Sequence, residues 1–144
     1  MEVEWLMLAD HAEVINNKLY AMGGGWDVLT VNSPLPVQQA CGIAVSFIVD
    51  WNDDTNRQHD VAVDVRTEDG QTIWSMGGRI EVGRPPGIRP GQDQHVQIAT
   101  NVGLPIPAMG TYVLVARIGT VDQPRTRAFN VVPGPMFGAV APGG

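Results

Sequence analysis

The chain has 144 residues, 44% hydrophobic and 17% charged, which is the size of one domain with enough apolar material for a core. Its formal net charge is −6 and Lys18 is its only lysine, so it lacks the clustered basic residues that a general nucleic-acid binder needs to neutralise phosphates. The single cysteine, Cys41, excludes an intrachain disulfide. No run approaches the roughly 18 apolar residues of a membrane span, and the acidic start Met1-Glu2-Val3-Glu4 lacks the basic residues of a secretory signal, so a cytoplasmic protein is expected.

The dominant pattern is alternation with a period of two, which lines one face of a strand with apolar side chains. Glu4–Val14 reads as a first strand. Asn16-Asn17-Lys18 is a turn signal, and Leu19–Met22 returns as a second strand. Gly23-Gly24-Gly25 then interrupts the pattern. The triplet is expected to kink or break a strand as the chain crosses between sheets, with Trp26 packing where the backbone bends. Trp26–Val31 is the next strand and Ser33-Pro34-Leu35-Pro36 a linker. Val37–Trp51 is a long strand with Ile43, Val45, Phe47 and Val49 in phase, and Asn52–Gln58 is a polar loop. His59–Glu68 closes on Asp69-Gly70, a hairpin signal, and Gln71–Val82 pairs back with a bulge expected at Gly77-Gly78. Gly83–Gln92 is a loop rich in Pro and Gly, Asp93–Val102 a strand and Pro105–Gly110 a turn. Thr111–Ile118 and Arg125–Val132 are the last two strands, followed by an apolar tail without charge, residues 133–144.

About eight or nine strands with turn residues between them, and no helical periodicity, define an all-β chain: an immunoglobulin-like antiparallel β-sandwich over residues 1–132. Charge is uneven along it. Residues 1–77 carry 12 acids against 3 bases, and residues 78–144 carry 6 bases against 3 acids. Two halves of opposite sign can attract each other within a fold or between copies; strands interleaved from both halves would instead average the asymmetry out, which is the expectation here.

Two stretches carry a family resemblance. One is Leu6-Met7-Leu8-Ala9-Asp10-His11-Ala12-Glu13-Val14 with Asn17-Lys18-Leu19-Tyr20-Ala21-Met22-Gly23-Gly24-Gly25-Trp26; the other combines Leu104-Pro105-Ile106-Pro107, Gly110-Thr111-Tyr112 and Phe129-Asn130-Val131. Together they resemble a group of small bacterial proteins, frequent in actinobacteria, classed as a domain of unknown function. The resemblance implies a bacterial β-sandwich and transfers no site residue. The Gly-x-Tyr-x-Leu ending also occurs in immunoglobulin-like domains generally.

The sequence offers few arrangements fit for chemistry. Asp50-x-Asn52-x-Asp54 starts like a calcium loop, but Thr55 replaces the required Gly and Val61 the bidentate Glu, so a solvated polar loop is expected. His11, His59 and His95 sit in separate segments, and Asp10-His11 and His59-Asp60 are strand neighbours whose side chains point to opposite faces. Ser33, Ser46 and Ser75 lack a nucleophile elbow, and the glycine triplet lacks the Lys-Ser/Thr and helix of a phosphate loop. Cys41, in an apolar stretch, reads as a buried inert thiol. Trp5, Trp26, Trp51 and Trp74 read as core and core-edge residues, with Trp51 and Trp74 the better placed for exposure. No catalytic residue, cofactor or metal is expected.

Contact surfaces are better marked. The loop Gly83–Gly91 holds Arg84, Ile88 and Arg89 on a frame stiffened by proline. Val113 and Val115 make both faces of their strand apolar, as under a loop or in a subunit contact. The tail offers Met136, Phe137 and Val140 for docking in cis or on a neighbour. These features make the expected function that of a non-catalytic structural or protein-interaction module, a self-assembling or scaffold subunit whose partner is protein and whose state is a homo-oligomer. A small-ligand or carbohydrate-binding module built on Trp51 or Trp74 is the alternative, and an enzyme with carboxylates assembled by the fold ranks last.

Overall fold

A computed structural model describes residues 1–119 and 124–135. Strands β1 (Glu2–Ile15), β2 (Lys18–Gly24), β4 (Val37–Val49) and β7 (Gln94–Ile106) form one sheet in the order β2-β1-β4-β7. Strands β3 (Val28–Val31), β5 (Gln58–Thr67), β6 (Thr72–Glu81), β8 (Gly110–Ile118) and β9 (Arg125–Pro133) form a second in the order β3-β9-β8-β5-β6. The sandwich is antiparallel except for one pair, β3 beside β9, which runs parallel.

Alternation does what the sequence predicts. Leu6 and Leu8 of β1, Ile43, Val45 and Phe47 of β4, Val63 and Val65 of β5, Leu114 of β8 and Phe129 of β9 face inward and form one buried cluster between the sheets. Trp26 meets Phe129 edge-on at 6.2 Å, and Tyr112 stacks on the same ring at 5.7 Å. The Tyr112 hydroxyl donates to the carbonyl of Ala108 at 2.7 Å. A tyrosine at the start of a strand bonding back across the preceding corner is the tyrosine corner of immunoglobulin-like sandwiches.

The glycine triplet is the crossing point. β2 ends at Gly24 in the first sheet, β3 begins at Val28 in the second, and Gly23 and Gly25 take φ of 59° and 82°, which glycine adopts without steric cost. Two expectations are corrected. The register is regular through Gly77 and Gly78, which pair with Ala62 and Val61; the irregularities lie between Val3 and Trp5 and between Val65 and Arg66. Pro105 does not begin a turn: β7 continues to Ile106, because this strand is a sheet edge and a proline lacking its N–H is tolerated there.

The first strand is not one flat element. It pairs with β4 only from Glu2 to Ala9, and beyond that with β2 alone. Asn16 and Asn17, at φ of 51° and 58°, close the β1–β2 hairpin with a two-residue turn whose twist matches its strands. The hairpin folds over the outer face of its own sheet. Ala12 passes so close to Gly42 that a Cβ on Gly42 would stand 2.8 Å from the Ala12 nitrogen. Asn101 of β7 imitates a strand edge, accepting from the Ala12 N–H and donating to the Ala12 carbonyl, both at 2.9 Å. Gln97 donates to the Asn17 carbonyl at 2.9 Å. Ala9, Ala12 and Ala44 form a second buried cluster with Trp5, Met7, Leu19 and Ala99 packed on it. Gly42→Ala is expected to cost about 2 kcal/mol, because the Cβ meets backbone that must move, and to raise amide exchange selectively over residues 10–24 by hydrogen–deuterium mass spectrometry.

Candidate functional site

The loop Gly83–Gly91 joins β6 to β7 and works chiefly as an internal clamp. Arg84 donates to the Trp51 carbonyl at 2.6 Å and to the Thr55 hydroxyl at 2.9 Å, and its guanidinium lies 4.1 Å from the centre of the Trp51 ring. The arginine read as a contact residue therefore pins the polar loop after β4, and the indole face read as a stacking platform is occupied by it. Ile88 is half-buried; Arg89 is exposed, and its backbone N–H donates to Gln92.

The acidic loop is also spent on structure. Asp50 accepts from the N–H groups of Asn52 and Asp53 at 2.9 and 2.8 Å. Asp54 accepts from the Asp50 N–H at 2.7 Å and pairs with the Met1 amine at 2.5 Å. Burial pushes the Asp54 carboxyl up, but the Met1 amine and the Asp50 N–H outweigh it and hold it below its ordinary value. A hollow of about 280 Å³ beside it is lined by Glu2, Asp50, Asp53, Asp54 and Asp93. A general acid there needs a carboxyl shifted upward, the opposite of Asp54. Among the described residues no group of three His, Cys, Asp or Glu is placed to hold a metal ion.

The three histidines have separate partners: His11 with Glu13 at 2.9 Å, His59 with the Asp54 carbonyl at 2.8 Å, and His95 with Glu4. Cys41 is buried, and burial together with the nearby Asp10 charge pushes its thiol up to about 11, so it is not a thiolate at neutral pH. All four tryptophans are half-buried.

Val113 and Val115 lie on the outer face of the second sheet. Val115 stands opposite Asp64 of β5, Val113 opposite Arg66, and Arg117 opposite Ala62. Asp64 is 3% exposed. Its Oδ1 accepts from Ser75 at 2.8 Å, and its Oδ2 accepts from Arg66 at 2.7 Å and Arg117 at 3.0 Å. Burial pushes the Asp64 carboxyl up, yet Ser75 and the two guanidinium groups more than offset it, leaving it below its usual value. The arginines converge across Val115, which is consequently buried within the single chain, at 4% exposure. Sequence reasoning missed this cluster. Asp64 and Arg66 were legible only as polar alternates in a strand, while Ser75 and Arg117 come from distant segments.

The sequence reading also missed the exposed face of the β1–β2 hairpin. Ile15, Tyr20 and Met22 are 49, 53 and 71% exposed; with Val28 they are the large hydrophobics exposed among the described residues. Strand alternation turns them away from Ala12 and Leu19, which face the sheet. Met136, Phe137 and Val140 lie outside the described residues.

These features define an immunoglobulin-like β-sandwich in which Asp54, Asp64 and the three histidines are held in hydrogen bonds and ion pairs within the fold. The chain belongs to the family of unknown function DUF6941, whose model matches residues 4–128. No curated protein matches it. Among solved structures it is similar to a glycosyl hydrolase family 2 member from Bacteroides cellulosilyticus DSM 14838, at 10% identity and a TM-score of 0.39, over 67% of this chain and 13% of that one. No helix among the described residues is long and apolar enough to cross a membrane.

Proposed function

We propose that the chain is a non-catalytic, self-assembling subunit of a bacterial cytoplasmic assembly, and that the β1–β2 hairpin is its contact element. The observation that carries this reading is the gathering of Ile15, Tyr20 and Met22 on one hairpin face, when Val28 is the one other large hydrophobic exposed among the described residues. β2 is also a sheet edge, so one row of its N–H and C=O groups is open to another strand. An antiparallel pairing of β2 with β2 of a second copy, centred on Ala21, sets Tyr20 opposite Met22 of the other copy and the reverse. That arrangement is two-fold symmetric and makes two sulfur–aromatic contacts. The folded-back hairpin, held by Asn101 and Gln97, presents this edge on a fixed support.

The test is the mass of the full chain by analytical ultracentrifugation. The wild type is expected at twice the monomer mass or more, and the double variant Tyr20→Glu/Met22→Glu as a monomer with an unchanged circular dichroism spectrum. A wild-type chain that stays monomeric at millimolar concentration overturns the proposal, as does a double variant that assembles like the wild type.

A further inference from the structure

We infer that Arg66 and Arg117, held by Asp64 on the outer face of the second sheet, form a receptor for a carboxylate carried by an acidic side chain of a partner protein. The hairpin lies on the other sheet, so the inference stands apart from the self-assembly reading.

The first support is the count of donors. A guanidinium has five N–H donors in a fixed fork. Arg66 and Arg117 each give one hydrogen bond to the same oxygen of Asp64, so neither forms the two-bond fork that arginine makes with a carboxylate of its own. Among the described residues neither makes a further hydrogen bond, and the Nε atoms of both are buried without a partner. Buried donors left without acceptors cost free energy, which an arriving acceptor recovers as the guanidinium groups turn toward it.

The second support is charge. One arginine neutralises the buried aspartate; the second leaves the cluster with a net charge of +1. A carboxylate cancels that charge, whereas a phosphate dianion overshoots it. The two arginine side chains are partly exposed, at 32 and 41%, so solvent and a partner both reach them.

The third support is shape. The positions flanking the arginine row are small: Ser75 and Gly77 on β6 and Thr126 and Ala128 on β9. Neither arginine lines any of five hollows on the described surface. An open, flat face with a central pair of arginines suits a side chain presented by another protein and lacks the enclosure of a small-molecule site.

The test follows the Nε–Hε resonances of the arginines in the nitrogen-15-labelled full chain. The probes are a hexaglutamate peptide, acetate and inorganic phosphate. Hexaglutamate is expected to shift Arg66 and Arg117 saturably while Arg79 and Arg89, on the surface, stay nearly fixed. Arg117→Gln leaves Asp64 paired with Arg66, so the fold persists, and it is expected to weaken binding about tenfold or more, the loss of one charge-assisted hydrogen bond. Shifts no larger than those of Arg79 overturn the site. Tighter binding of phosphate than of hexaglutamate overturns the carboxylate assignment, and acetate binding as tightly as hexaglutamate overturns the assignment to a protein side chain.

Discussion

Asp64→Ala is expected to lower the unfolding free energy by about 3 kcal/mol at neutral pH, measured by urea denaturation, because it strands two guanidinium groups and a serine hydroxyl that converge on one carboxylate. The effect has a defined pH dependence. Folded Asp64 titrates below its unfolded value, so its contribution is complete above the ordinary carboxylate range and is lost as pH falls through the lower, folded value. The gap in stability between wild type and Asp64→Ala therefore closes on acidification below about pH 4. Asp54 is shifted in the same direction, so the variant retains part of the acid sensitivity. A gap that stays constant down to pH 2 contradicts the ion-paired assignment of Asp64.

The fold was legible because one-sided alternation survives wherever a strand has one face on the core. Ile43, Val45 and Phe47 alternate with Gly42, Ala44 and Ser46, and the apolar set is the buried one between the sheets. The same stretch held a signal that alternation alone does not interpret. Its second face consists of small residues, and these admit the β1–β2 hairpin close enough for Ala12 to pass beside Gly42. Small side chains on a sheet's outer face signal close approach of other backbone, but which segment approaches is a long-range fact. Asn101, which holds Ala12, is 89 residues away from it in sequence.

The sites were less legible for the same reason. Arg84 stands out in a stiff loop, and only the fold shows that its donors are directed at Trp51 and Thr55. Val115 looks surplus to a monomer until Asp64, Arg66 and Arg117 are seen to converge across it. The exposed Tyr20 and Met22 escaped notice because the strand containing them has the composition of any half-buried strand. Its exposure follows from the other face of the hairpin being used against Ala44 and Ala99.

Phe129→Ala is expected to be the most damaging single core truncation at the junction of the two sheets, costing about 4 kcal/mol by chemical denaturation. Phe129 is 1% exposed and carries Trp26 on its edge and Tyr112 on its face, so its removal withdraws partners from both aromatic neighbours as well as opening a cavity. The damage is also directional. Trp26 sits in the segment that crosses from β2 to β3, and the N–H of Asn130, next to Phe129, donates to the Asp27 carbonyl at 2.9 Å. Removing the ring therefore loosens the crossing and the short β3 strand more than the β4–β7 pairing on the far side of the core. Phe129→Leu, which keeps most of the apolar volume, is expected to lose less than half as much. Tryptophan fluorescence reports the same event, with a red shift in Phe129→Ala as Trp26 gains water. An Ala variant within 1 kcal/mol of the wild type, or one whose exchange rates rise uniformly, contradicts the place given to this ring in anchoring the crossing.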